Sequence, residues 1–273
     1  MIAEKGHRIM KIQQIRNATI RITFGDKTFL IDPWLAAKGT MGCFADIPGH
    51  PYSLPDPTKE QILMPICPLP METADVLAGI DAYIVTHIHP DHIDMVLDGT
   101  VGATLDHDLP IFVQNAEDAA VFQRSGFTDV RMLSVGSSVF GDVKLTKTPA
   151  RHGVIVPCGD ACGVVFEAAD EQTLYVAGDT IWYEAVKQTL HAYQPPVIVL
   201  NACAAETIEH GRLIMGDEDV EAVARTMPNS QLVLTHFDNV AHATITRHDM
   251  RARLFCRNVT NYRMPADGEV LTF

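Results

Sequence analysis

The sequence predicts an α/β (α+β) protein in which helices cover sheets and a polar site collects where strands end. Three observations carry that expectation. Apolar strand-like runs repeatedly stop at polar residues: AYIV at Thr86-His87, IFVQ at Asn115, TLYVAG at Asp179-Thr180, VIVL at Asn201 and LVL at Thr235-His236. Helical patterns follow several of these runs. Two of the runs, 82–85 and 197–200, are apolar at every position, which predicts burial on both faces. Sheets layered with helices place polar residues together at strand termini.

The elements follow in chain order. ATIRITFGDKTFLIDP reads as a hairpin, with alternating strands at 18–24 and 27–31 joined at Gly25-Asp26. The stretch from Leu35 to Met71 holds Pro48, Pro51, Pro55, Pro57, Pro65, Pro68 and Pro70. That density of proline forbids regular helix and central strand. Long irregular segments inside compact domains are often functional, so 35–71 is expected to be a loop or lid beside the site; a passive surface excursion is the alternative. After Asn115, AEDAAVFQRSG reads as a helix ending at Gly126. GVVFEAADEQTLYVAG reads as a second hairpin. Val220, Val223, Ala224 and Met227 repeat at helical spacing over 218–227, and Pro228 stops them. No repeat, low-complexity tract or composition break divides the chain, so one domain over 1–273 is expected.

With 273 residues the chain can bury a substantial core. No apolar run is long enough to span a bilayer, and the first residues carry no secretory pattern, so a cytoplasmic address is expected. The formal net charge of −13 repels polyanions, and no basic stripe offsets it, which argues against a nucleic-acid partner and for a small molecule. A homo-oligomer is compatible with the sequence, which does not fix the oligomeric state. The six cysteines are scattered and read as reduced thiols; Cys158 and Cys162 lack the second pair that a cysteine-based zinc site needs.

Residues 86–92 read THIHPDH, three histidines and an aspartate after a buried strand. In extended backbone His87 and His89 point to the same side. Pro90 suits the start of a helix that would carry Asp91, His92 and Asp94 in its first turn. His87 and His89 can then bind one metal while Asp91 and His92 bind a second. Imidazole and carboxylate donors suit zinc, manganese or iron(II). A single histidine is usually structural or solvated, but this cluster would leave desolvated imidazoles without partners unless a cation supplied them.

H-x-H-x-D-H after an apolar strand resembles the signature of the metallo-β-lactamase-fold hydrolases. Further landmarks follow in family order: Asp32 in FLIDP, His152 in PARHG, Asp179 in YVAGDT and His236 in LVLTHFDN. The resemblance runs from about residue 12 to residue 250, and looks nearest to the ascorbate-6-phosphate lactonase-like branch. It implies a four-layer αββα sandwich of two mixed β-sheets flanked by helices. It implies two divalent ions, zinc before manganese or iron. His87, His89 and His152 would hold the first, Asp91, His92 and His236 the second, and Asp179 would bridge them. Di-iron oxygen-reducing members typically carry glutamate where this chain has His89, so the resemblance implies hydrolysis.

The implied chemistry is attack on a small ester, lactone or phosphoester by a metal-bridging hydroxide, with Asp91 as the catalytic proton acceptor. A nuclease or phosphodiesterase of the same fold and a non-catalytic metal-binding sensor are the alternatives. Asp32 and Thr86 are expected behind the ligands, orienting histidine rings, or else capping turns. Arg151 is a candidate anion clamp, or a partner of a surface carboxylate. Trp182 and Tyr183 are candidate pocket walls, or core aromatics. Asn201 and Asn239 are candidate polar contacts. His242 and His248 are candidates for the pocket lining; His7, His50, His107, His191 and His210 are expected at the surface. The signature continues Ile93-Asp94, where many thioester hydrolases of this fold carry glycines, which lowers the case for a glyoxalase-type substrate.

Overall fold

The computed structural model describes residues 9–96 and 98–273. The chain opens with the strands β1 (Lys11–Arg16), β2 (Thr19–Phe24) and β3 (Lys27–Ile31). The helix α1 (Thr73–Leu77), the strands β4 (Ala82–Val85) and β5 (Ile111–Val113), the helix α2 (Ala116–Arg124) and the strand β6 (Val130–Met132) follow. Next come β7 (Ser138–Phe140), β8 (Val143–Pro149), β9 (Cys162–Glu167), β10 (Leu174–Val176), the helix α3 (Glu184–Tyr193) and β11 (Val197–Asn201). A short ribbon of β12 (Glu206–Thr207) and β13 (Gly211–Arg212) leads to α4 (Asp217–Thr226), β14 (Gln231–Thr235), α5 (Arg247–Cys256), β15 (Tyr262–Arg263) and β16 (Val270–Thr272).

These strands build two seven-stranded sheets, ordered β16-β1-β2-β3-β4-β5-β6 and β15-β14-β11-β10-β9-β8-β7. Both follow one plan. Pairs are antiparallel from β16 to β3 and parallel from β3 to β6. In the second sheet they are antiparallel from β7 to β10 and parallel from β10 to β15. Side-chain alternation then sorts the layers. In β4, Ala82 and Ile84 face the second sheet, while Tyr83 and Val85 face outward against α1 and α2. In β11, Val197 and Val199 join the inter-sheet core, and Ile198 and Leu200 pack with α3, α4 and α5. The all-apolar reading of 82–85 and 197–200 has its cause here, since both faces of each strand are covered. The result is the four-layer αββα sandwich.

The helix boundaries follow from local chemistry. Asn115 caps α2 by accepting the amide of Asp118 at 2.8 Å. α4 ends before Pro228, with Met227 as its C-cap. The proline-rich segment forms only two 3₁₀ turns, Phe44–Asp46 and Pro57–Gln61. It is well packed nonetheless: Phe44, Leu54 and Met64 bury against Trp34, Val240 and Ala241. Among the described residues no helix is long and apolar enough to cross a membrane.

Candidate metal centre

Strand ends deliver most of the site. β3 runs into Asp32, β4 into Thr86 and His87, β11 ends on Asn201, and β14 runs into His236. β8 ends just before His152, and β10 just before Asp179. Gly178 precedes Asp179 with φ +66°, and a Cβ there would collide with the carbonyl of Cys162. Only glycine lets this strand end lie so close to its neighbour. Asn17, Asp32 and His236 are buried and hold positive φ values of 51°, 47° and 69°. Such strained backbone in non-glycine residues persists only where its surroundings fix it.

Pro90 does not open a helix. It begins a single turn in which the amides of His92 and Ile93 both donate to the carbonyl of His89, at 2.9 and 3.1 Å. The turn stops because Asp94 is pulled away: its Oδ1 accepts the amides of Leu35 and Ala36, at 3.1 and 2.7 Å. The turn alone is enough to swing Asp91 and His92 to a different position from His87 and His89.

Seven side chains converge. His89 Nδ1 lies 3.0 Å from His87 Nε2 and 3.3 Å from His152 Nε2. His236 Nε2 lies 3.2 Å from His92 Nε2 and 3.3 Å from Asp91 Oδ2. Asp179 Oδ2 sits between the two groups, 3.2 Å from His92 Nε2, 3.8 Å from His236 Nε2, 3.9 Å from His87 Nε2 and 3.7 Å from His152 Nε2. Donors held about 2.0–2.2 Å from a tetrahedral zinc ion stand roughly 3.3–3.6 Å from one another. The observed spacings are close to that range, and three overlapping donor sets can each hold a metal ion: His87-His89-His152, His87-His92-Asp179 and Asp91-His92-His236.

The far side of each ring explains the convergence. His87 Nδ1 meets Thr86 Oγ1 at 3.1 Å, and that hydroxyl donates to Asp32 Oδ2 at 2.8 Å. His92 Nδ1 donates to the same carboxylate at 2.9 Å. His152 Nδ1 donates to the carbonyl of Leu213 at 3.1 Å, and His236 Nδ1 meets Cys203 Sγ at 3.5 Å. With Nδ1 so engaged in these four rings, their Nε2 atoms are left facing inward, the tautomer a cation needs, whereas His89 presents Nδ1. Asn201 stands behind Asp179, donating to its Oδ1 at 2.6 Å while Thr235 donates to the amide oxygen of Asn201.

The electrostatics match a cation site. Burial pushes the pKa of His87 well down and that of His89 to about 3, with neighbouring imidazolium charge adding to both. Burial also opposes charge on His92, yet Asp179, Asp32 and Asp91 outweigh it and lift this group to about 10. His236 is likewise raised against its burial, chiefly by Asp179. Burial disfavours the charged forms of Asp91 and Asp179 too, but the imidazoles, His92 foremost, hold both far below the usual carboxylate range. The carboxylates that raise His92 and His236 supply the negative charge a divalent cation would need here.

A cleft of about 110 Å³ opens onto this cluster. His89, Asp91, His152 and Asp179 form its floor. Met41, Phe44, Ile47 and Tyr52 of the proline-rich segment line its side, together with Cys158, Leu213 and His242. A larger groove of about 780 Å³ beside Trp34, Pro90 and Met95 holds none of the clustered histidines.

Several residues lie elsewhere than the sequence led us to expect. Arg151 is no clamp on this cleft: its guanidinium donates to the carbonyls of Gly153 and Val154. Trp182 and Tyr183 line a separate surface cleft with α3 and α4. Asn239 serves the proline-rich segment, accepting the amide of Cys67 at 3.1 Å and donating to Asp267. His248 is exposed on α5, whereas His242 lines the cleft. His50 and His191 are exposed; His107 is half-buried and stacks on Phe127, and His210 is half-buried against Tyr52. His7 falls outside the described residues. Cys158 and Cys162 are free thiols in different core clusters.

Sequence reasoning missed Asn17. Its amide nitrogen lies 3.2 Å from the Asp91 carbonyl, 3.3 Å from Asp91 Oδ2 and 3.2 Å from His236 Nε2. Its own carbonyl accepts the amide of His236. Cys203 and Leu213 were missed as well, and nothing in their local sequence marks them.

A sandwich of two like sheets, with clustered histidines and carboxylates at the strand ends between them, defines a metallo-β-lactamase-type protein. The chain belongs to that class: residues 27–237 match the family described as Beta-lactamase superfamily domain. Within it the chain is a metal-dependent hydrolase of the UPF0173 family. It is 38% identical over 272 residues to the UPF0173 protein YddR of Bacillus subtilis (strain 168), covering 97% of this chain and 100% of that protein. It is 26% identical over 200 residues to a UPF0173 metal-dependent hydrolase of Koribacter versatilis, covering 70% of this chain and 71% of that one. Two solved structures are similar throughout. An isothiocyanate hydrolase from Delia radicum gut bacteria has a TM-score of 0.86 at 33% identity, over 97% of this chain and 99% of that one. A possible metal-dependent hydrolase from Veillonella parvula DSM 2008 has a TM-score of 0.86 at 34% identity, over 97% and 100%.

Proposed function

We propose that this chain is a dinuclear hydrolase of small, uncharged electrophiles, with an isothiocyanate as the foremost candidate substrate. The observation that carries the reading is the pairing of the buried donor cluster with an apolar cleft. His87, His89 and His152 would hold one divalent cation and Asp91, His92 and His236 the other, with Asp179 standing between the two donor groups. Zinc suits this donor set best, with manganese and iron(II) next. When bound, the ions supply Lewis acidity and lower the pKa of a water toward about 7.

The chain's own groups do the rest. Asp91 stands at the cleft floor and accepts the proton of the attacking water. Met41, Phe44 and Ile47 shield the reaction from solvent and receive the apolar part of the substrate. Among the described residues no lysine or arginine lines the cleft, which weighs against a phosphoester or a nucleic acid. The similarity to an isothiocyanate hydrolase supports the choice of electrophile. In the balanced reaction, R–N=C=S and H₂O give R–NH₂ and COS: a C–O bond forms, the C–N bond breaks, and both water protons pass to nitrogen. A neutral ester or lactone presents an equally apolar target, so the lactonase-like branch supplies the second reading.

The test begins with the metal content of protein purified without added metal. Turnover of benzyl isothiocyanate is then compared with that of a lactone, a simple ester and a phosphodiester. Isothiocyanate turnover should lead, and Asp91→Asn should lower kcat about 10²–10⁴-fold while most of the metal is kept. Turnover of none of the four by metal-replete protein would favour a sensor.

A further inference from the structure

We propose that His242 is a catalytic residue, the hydrogen-bond donor to the substrate heteroatom on which negative charge gathers as water attacks. This inference rests on the hydrolytic reading above.

Among the described residues, His242 differs from the other histidines of the cleft in having no hydrogen-bond partner for its ring. Its Nδ1 is buried without a hydrogen bond. Its Nε2 lies 3.9 Å from Asp91 Oδ2, too far for a direct bond. That gap is short enough for one intervening oxygen, nitrogen or sulfur atom to touch both groups. A neutral imidazole offers one donor and one acceptor. A buried N–H left unmade is rarer in proteins than an unmade acceptor, so the proton belongs on Nε2, toward the cleft.

The ring is held ready. Its edge-to-face contact with Phe44 spans 5.4 Å between centroids at 67°. Its backbone carbonyl accepts the amide of Glu206 at 3.0 Å. Two residues on, the amide of Thr244 donates to the carbonyl of Cys203. A donor fixed in advance contributes most where charge develops away from water. The other polar side chains of the wall have neighbours of their own: the Tyr52 hydroxyl lies near the Cys158 thiol, and the Thr207 hydroxyl accepts the amide of His210.

The experiment compares wild type with His242→Leu and His242→Gln. It measures metal content, kcat and KM for benzyl isothiocyanate, and calorimetric affinity for O-methyl N-benzylthiocarbamate, a neutral mimic of the water adduct. All three proteins should carry equal metal. The leucine variant should lose about 100-fold in kcat with little change in KM. It should bind the mimic about tenfold more weakly, and glutamine, which restores a donor, should recover most of both losses. Unchanged kcat and affinity in the leucine variant overturn the assignment and leave the hydrolase reading intact. Loss of metal in that variant overturns it in favour of a ligand role. A wild type that binds the mimic through His242 yet turns over no electrophile overturns the hydrolase reading and the catalytic role with it, and leaves His242 a binding group. No binding and no turnover overturn both.

Discussion

Asn17 ties together two of the proposed ligands of the second cation. Its amide contacts both Asp91 and His236, and its carbonyl anchors the backbone of the latter. Asn17→Ala should therefore weaken the more loosely held metal about 10–100-fold, the usual effect of removing a group that orients ligands. Titration of the apo-protein with zinc against a competing chelator reads this directly; two unchanged binding constants would reduce Asn17 to a turn residue. The clustered side chains proposed as ligands were legible because their chemistry is conspicuous in the letters themselves, as in the histidine run at 87–92. Asn17 was not. It sits in a two-residue turn between β1 and β2, and its partners are 74 and 219 positions away. The sequence around Cys203 is equally silent, since a thiol that accepts from His236 looks like any other core cysteine.

At the scale of elements, the proline-rich segment matters most. Its prolines exclude regular structure, yet Phe44 and Met64 pin it to Trp34, Val240 and Ala241, and Asn239 accepts an amide from its C-terminal part. The segment is thus a fixed wall of the cleft. Phe44→Ala removes an aromatic face from that wall and from His242. KM for an apolar substrate should rise about tenfold or more while metal content holds, because pocket contacts of this size discriminate by roughly 1–3 kcal/mol. Steady-state kinetics with benzyl and methyl isothiocyanate checks this, and the loss should be greater for the benzyl compound. Equal effects on both would remove Phe44 from tail recognition. Prolines revealed what this stretch could not be, but not which way it packs; that depends on buried contacts with residues near 240. The turn after Pro90 was misjudged for a similar reason. Proline permits a helix start, and only the distant amides of Leu35 and Ala36 end it at Asp94.

Over the whole molecule, the proposed metal binding would couple to folding. A ligand that binds the folded chain alone stabilises it by about 4 kcal/mol at a thousandfold excess over Kd. Chelation should lower the thermal midpoint, and zinc should restore it. Hydrogen exchange should quicken together around residues 87–93, 152 and 236, since one shared centre is lost at once. Exchange that quickens at only one of these places would mean the donors do not act as a unit. The layered architecture itself was largely readable, because strands covered on both faces must be apolar throughout. The matching plan of the two sheets was not, for it lies in pairing direction rather than in residue type.

The donors are divided between the sheets. His87, His89, Asp91 and His92 follow β4 of the first, while His152, Asp179 and His236 follow strands of the second. A chain still emerging from the ribosome therefore lacks the last of these imidazoles until residue 236 has been made. On the proposed ligand set the second cation could be loaded only after that point, and the exchangeable metal pool at that moment would decide which ion the molecule carries.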